Sequence, residues 1–224
     1  MRDSSRNDAG RCDLEQAGRG MPSNVTRYAA GDCLLGSLRK ALEQPGVTCL
    51  EIRDQGHIWL DADAGQFFAE IDSPSEFFSM PESSLKISSA RSFNSDWPAR
   101  PVDELLYQSA WYGPENALLE DCHPFDVIQL RCWPNFTRLP HTRHVLPLSS
   151  LLSRRPTSLS FAYRMMRIPE ADALRFYSAV TAAGYVRLIS SQPKAAAGDG
   201  PPQSDETAPA GSFWSRLFER ISGL

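Results

Sequence analysis

Apolar residues along the chain change their spacing from one stretch to the next, and the changes mark out elements. Leu34, Leu35, Leu38, Ala41 and Leu42 share one face of a helix that Asp32 would cap and Pro45-Gly46 would stop. Three short β-prone runs follow, Val47–Ile52, His57–Leu60 and Gln66–Ile71. Asp54-Gln55-Gly56 and Asp61 to Gly65 separate them, and Asp and Gly turn a chain at little steric cost, so the runs predict an antiparallel meander. A helix packed on such a sheet is a compact α+β unit.

Residues 72–100 mix Ser, Pro and Phe without a period and predict a loop, with a short helix near Glu76–Ser79 and one strand, Ser84–Ser88. Arg100-Pro101 then opens a helix from Val102 to Tyr112, with Leu105, Leu106, Tyr107, Ala110 and Trp111 on a wide apolar face. Asp126–Cys132 predicts a buried strand, and Trp133 to Phe136 a rigid aromatic corner. Three helices come next. The first lies around Leu148–Ser153; Thr157 would cap the second, with Leu159, Ala162, Tyr163 and Met166 inward. Pro169 would start the third, with Ala173, Phe176, Tyr177, Val180 and Ala183 inward and Gly184 closing it. A strand Tyr185–Ile189 ends the run, and three short helices with a strand outline a winged-helix-like domain.

The two ends read differently. Met1 to about Val25 holds almost no aliphatic side chain and predicts a disordered tail, with Met21 as an alternative start. Residues 191–211 are rich in Ser, Pro, Ala, Gly and Asp and predict a flexible linker with a reach of about 25 Å. Beyond it Phe213, Trp214, Leu217, Phe218, Ile221 and Leu224 line one side of a helix, opposite Arg216, Glu219 and Arg220. The expected organisation is therefore a tail over 1–25, an α+β domain over 26–136, a winged-helix-like domain over 137–190, a linker over 191–211 and an amphipathic helix over 212–224.

Composition adds little until it is split. With 42% hydrophobic and 22% charged residues the 224-residue chain is ordinary for a folded protein, and no apolar stretch approaches the ~20 residues that cross a bilayer. Five cysteines without a CxxC pair argue against a disulfide framework or a zinc ribbon and predict reduced, mostly buried thiols in the cytoplasm. Charge is uneven. Residues 1–136 hold 12 Lys and Arg against 21 Asp and Glu, whereas residues 137–191 hold 8 Arg against Glu170 and Asp172 alone. The basic part would either dock on the acidic one or meet an acidic partner.

Candidate chemistry is sparse. No GxSxG, GxxxxGK, HExxH or GxGxxG motif occurs. Cys122, His123 and Asp126 can be written as a nucleophile set, but neighbours in sequence seldom point to one place. Cys122-His123, Cys132 and His141-x-x-His144 lack the spacing of a zinc motif, and Asp61 with Asp63 is turn chemistry before it is a cation site. No catalytic residue, metal or cofactor is expected.

The terminal helix is the clearest functional feature, since so short a segment is marginal alone and its apolar side must be covered. The expected partner-binding residues are Phe213, Trp214, Leu217, Phe218 and Ile221, with Arg216 and Arg220 flanking them. A groove on a protein partner is the first expectation, with peripheral contact with the inner membrane and packing back on the helix's own domain as the alternatives. The alternative is a DNA-binding regulator that sets Arg154, Arg155, Arg164, Arg167 and Arg175 on phosphates. Glu170 and Asp172 at the start of the third helix would repel those phosphates, and its outward positions offer only Arg175, Ser178 and Thr181 as readers. No second strand is visible to complete a wing, so nucleic acid is the weaker expectation.

The stretch from Leu34-Leu35-Gly36-Ser37-Leu38 through Cys49-Leu50-Glu51-Ile52 to Ile58-Trp59-Leu60 resembles the PATAN family of bacterial signalling domains. Pro101 to Leu106 and Thr157–Val186 are similar to the degenerate winged-helix tails that accompany such domains, so the resemblance spans about two thirds of the chain. Where the family has a Gly after the second strand this sequence has Ala62-Asp63-Ala64-Gly65. The resemblance implies a non-catalytic scaffold in signalling or surface motility, with a small GTPase or a response regulator as partner.

Overall fold

A computed structural model describes residues 25–90 and 98–191. The expected linker and terminal helix, and the expected tail up to residue 24, lie outside the described residues. The chain is a mixed α+β protein built on antiparallel sheet. The described residues up to Ser191 belong to one compact unit.

A two-residue strand β1 (Arg27–Tyr28) and a 3-10 turn (Ala30–Asp32) lead into helix α1 (Leu34–Glu43). Asp32 does not cap that helix. Its carboxylate accepts the Ala29 N–H at 2.8 Å and closes the 3-10 turn instead, so Cys33 stands at the helix start without a side-chain cap. The meander follows as β2 (Val47–Ile52), β3 (Gly56–Asp61) and β4 (Gln66–Ile71), antiparallel in direct succession. Gly56 sits at φ +121°, where an added Cβ would collide with the Glu70 carbonyl, so only glycine lets β3 and β4 close up there.

Helix α2 (Pro74–Ser79) lies in the predicted loop, and strand β5 (Leu85–Ala90) runs back to pair antiparallel with β2. Strand β6 (Arg100–Pro101) adds to β4, giving a five-stranded sheet in the order β5-β2-β3-β4-β6. Alternation places Leu50, Ile52, Ile58, Leu60 and Phe67 on the buried face, under α1 and helix α3 (Val102–Trp111). Each fully buried Leu or Phe there contributes roughly 1.5–3 kcal/mol.

The second half is β7 (Leu118–Leu119), β8 (Val127–Leu130), α4 (Val145–Arg154), β9 (Thr157–Ser158), α5 (Leu159–Met166), α6 (Glu170–Ala182) and β10 (Val186–Ser190). Thr157 is not the cap of α5; it belongs to β9, and Ser158 caps by accepting the Phe161 N–H at 3.3 Å. The last strand is not alone, because β10 pairs antiparallel with β8, which also pairs with β9. The sheet order is β10-β8-β9. Gly184, at φ +71°, turns the chain from α6 into β10.

The boundary expected between residues 136 and 137 falls inside one unit. Helix α3 packs along α6, β1 pairs in parallel with β7, and Tyr107 stacks on Trp111 at 5.8 Å while meeting Tyr185 at 6.3 Å. This aromatic seam joins the two sequence halves in one core. Among the described residues no helix is long and apolar enough to cross a membrane.

Candidate functional site

Helix α5 buries Leu159, Ala162 and Tyr163 and turns Phe161, Arg164 and Met165 outward, three positions that helical geometry places side by side. Phe161 is 53% exposed and Met165 51%. The Ser160 N–H donates to the Pro124 carbonyl at 2.9 Å, which ties the turn carrying the exposed Phe125 to the first residues of α5. Arg154 and Arg155 are exposed just before β9, and Arg164 and Arg167 are exposed along and after α5. Arg167 closes the helix at φ +51°, donating its N–H to Tyr163 O at 3.0 Å. Among the described residues none of these four arginines forms an ion pair.

The fifth arginine of the nucleic-acid alternative is placed elsewhere. Arg175 is half-buried, 3.2 Å from the Glu115 carboxylate and over the Trp111 ring at 5.7 Å. Its helix is enclosed, since α3 lies along α6 and α4 and α5 pack on it as well. Ser178 and Thr181, expected to face outward, are therefore 1% exposed and half-buried respectively. Ser178 accepts the Leu119 N–H at 3.0 Å, and Asp172 accepts the Thr142 hydroxyl at 2.8 Å. The partner-binding set Phe213, Trp214, Arg216, Leu217, Phe218, Arg220 and Ile221 lies outside the described residues.

The thin catalytic and metal candidates hold the chain together. Burial pushes the Cys122 thiol up to about 12, far from a thiolate at neutral pH. The Asp126 carboxylate accepts the His123 N–H at 3.0 Å and the Tyr177 hydroxyl at 3.3 Å, while His123 Nδ1 accepts the Phe125 N–H at 3.3 Å. His141 Nδ1 lies 3.0 Å from Leu139 O, and Arg143 Nε donates to His144 at 3.2 Å. Among the described residues no group of three or more His, Cys, Asp or Glu could hold a metal ion. Asp61 accepts the N–H groups of Asp63 and Ala64, and Asp63 accepts that of Gly46, which is turn chemistry. Of the described cysteines, Cys33 and Cys122 are buried, Cys49 half-buried and Cys132 exposed; all four are free thiols.

A cleft of about 480 Å³ opens beside the stacked rings of Phe78 and Tyr112, 6.1 Å apart. Its two carboxylates are already engaged, Asp32 by the Ala29 N–H and Glu115 by Arg175. A groove of about 530 Å³ runs between α1 and β5 with Lys40 as its charged group, and Lys40 lies 3.5 Å from Glu82. Neither cleft gathers free polar groups on one point, as a small-molecule site does.

The exposed side of α5 has a signal in the sequence. Reading Leu159, Ala162, Tyr163 and Met166 as the inward stripe leaves Phe161 and Met165 as an i, i+4 apolar pair on the side that should be polar. Neither a family model, nor a curated protein, nor a solved structure matches the chain.

Proposed function

We propose that the protein is a non-catalytic protein–protein adaptor in a bacterial signalling or motility system, acting in the cytoplasm or peripherally at the inner membrane. The single observation that carries this reading is the outer face of α5, where Phe161 and Met165, one helical turn apart, are both about half exposed, with the exposed Arg164 beside them and the exposed Phe125 in the turn that hydrogen-bonds the start of the helix. Scattered apolar side chains need no explanation, but a contiguous aromatic and methionine cluster suits a surface that a partner covers. The segment 212–224 serves as a second anchor through Phe213, Trp214, Leu217, Phe218 and Ile221, with Arg216 and Arg220 beside them. The PATAN resemblance favours a small GTPase or a response regulator as the partner.

The finer fold reading belongs with this proposal. The succession α4, β9, α5, α6, β10 supports a winged-helix-like reading, in which β8 from upstream, standing between β9 and β10, would take the place of the second wing strand. Such a module reads DNA by inserting its third helix into the major groove. Here that helix, α6, is the enclosed one, which favours a scaffold over a regulator that binds DNA.

Affinity capture from the native cells with the tagged full chain tests the proposal, alongside a variant lacking 212–224 and the Phe161→Ser/Met165→Ser double variant. The expected result is a protein partner held by the wild type and released by each variant with melting unchanged. Retention of the same partner by both variants contradicts the proposal. So does salt-sensitive recovery of duplex DNA that depends on Arg154 and Arg155.

A further inference from the structure

We infer that the outer face of α5 docks an acidic amphipathic segment of a protein partner, its carboxylates meeting Arg154, Arg155 and Arg164 while its apolar side covers Phe125, Phe161 and Met165. The inference rests on the adaptor reading and adds the chemistry of the partner.

Charge complementarity carries it. Four arginines elsewhere in the fold meet carboxylates of other elements or turns: Arg39 pairs with Asp121 at 2.9 Å, Arg100 with Glu104 at 2.9 Å, Arg138 with Glu104 at 3.9 Å and Arg175 with Glu115 at 3.2 Å, while Arg143 and Arg187 donate to the neutral side chains of His144 and Gln129. The arginines around α5 have no such partner among the described residues, although they flank the most exposed apolar side chains of that helix. Arg164 is the i+3 neighbour of Phe161 and sits next to Met165 on the same exposed face, so an occupant that covers the two apolar groups meets a guanidinium at their edge. An apolar occupant without carboxylates would bury that charge unpaired, which is costly; one with carboxylates gains a charge-assisted hydrogen bond in its place.

Size and surroundings favour a protein segment over the other polyanions. Helix α5 has eight residues and is about 12 Å long, a length that two or three turns of a partner helix match. Glu170 begins α6 four residues after α5 ends, and its charge acts on Tyr163 of α5, so a carboxylate already stands at that end of the helix. A flat anionic bilayer would press on Glu170 as well as on the arginines, whereas a discrete segment can avoid it. A nucleic-acid backbone would set phosphates against Phe161 and Met165 without covering them.

The test uses the full chain and fluorescence anisotropy. One probe is a synthetic amphipathic helix of about four turns with Leu anchors at i, i+4 and Glu on its flanks, and the other is its Lys-for-Glu counterpart. Vesicles of phosphatidylcholine with about one quarter phosphatidylserine, and a short DNA duplex, serve as the competing polyanions. The Glu probe should bind, weaken about tenfold or more between about 50 and 300 mM NaCl, and weaken to a similar degree in the Arg155→Glu/Arg164→Glu variant. That variant should instead gain binding of the Lys probe, and both substituted positions are exposed, so its melting should match the wild type. The inference is overturned if the Glu probe does not bind, if both probes bind alike, or if charge reversal changes nothing. Vesicle or duplex binding that depends on Phe161 and Met165 in place of probe binding also overturns it. If native partner capture depends on Phe161 while probe binding ignores charge, the adaptor reading stands and the acidic chemistry falls. If capture ignores Phe161, the adaptor reading itself falls.

Discussion

The backbone N–H of Leu119 donates to the hydroxyl of Ser178 at 3.0 Å, fastening the β1–β7 pair to the middle of α6. One side chain thereby ties the first described strand to the helix that a DNA reader would keep free. Ser178→Ala leaves the Leu119 N–H buried without an acceptor and is expected to lower stability by about 1–3 kcal/mol. Urea unfolding checks this, the midpoint falling with the slope unchanged.

Glu104 is buried in α3 and accepts the Nε–H of Arg100 at 2.9 Å, with Nη2 of the same guanidinium also 2.9 Å away and Arg138 at 3.9 Å. The pair locks the end strand β6 to the start of α3, and Arg100 also lies over Phe67 at 5.0 Å. Glu104→Ala removes the acceptor of a partly buried guanidinium and is expected to cost about 2–4 kcal/mol, the lower end reflecting the solvent that Arg100 still meets. Glu104→Gln, which keeps one acceptor, should cost less in the same thermal unfolding series.

Gly56→Ala should be the most damaging small substitution in the meander. The backbone there has φ +121°, and the new methyl group would strike the Glu70 carbonyl of β4. Backbone strain alone is worth about 1–3 kcal/mol, and the steric collision adds to it. Gly46→Ala also carries positive φ but meets nothing within 4 Å, so it separates the two contributions in a melting comparison.

Thiol reactivity follows burial. Ellman's reagent should modify Cys132 in the folded protein and leave Cys122 untouched until unfolding. Burial raises the Cys122 thiol from the usual 9.0 to about 12, so the unfolded thiol ionises first as pH climbs. Its contribution to stability is fully present below about pH 9 and is lost progressively towards pH 12. Cys122→Ala should therefore flatten the alkaline decline in stability relative to the wild type, and a denaturation series across that range reads it directly.

Much of this architecture can be read from side-chain periodicity, and its failures are physical. Val47–Ile52 and Gln66–Ile71 are strands at their expected bounds because alternation and Asp-Gly turns act locally. The pairing of β10 with β8 joins residues about sixty apart, and no local pattern encodes it. The same holds for α6, whose Ser178 looked like an outward position on a two-sided helix. It is buried because α3, far upstream, covers that side. The exposed face of α5 is encoded locally by Phe161 and Met165, whereas the Ser160–Pro124 hydrogen bond that ties the turn of Phe125 to the start of α5 joins residues far apart in sequence.

Hydrogen exchange of the full chain, alone and in complex with its captured partner, tests the central claim most directly. The amides of 159–166, and those around Phe125, are expected to gain protection in the complex. Protection confined to other parts of the fold, with α5 exchanging as it does in the free protein, would contradict the account.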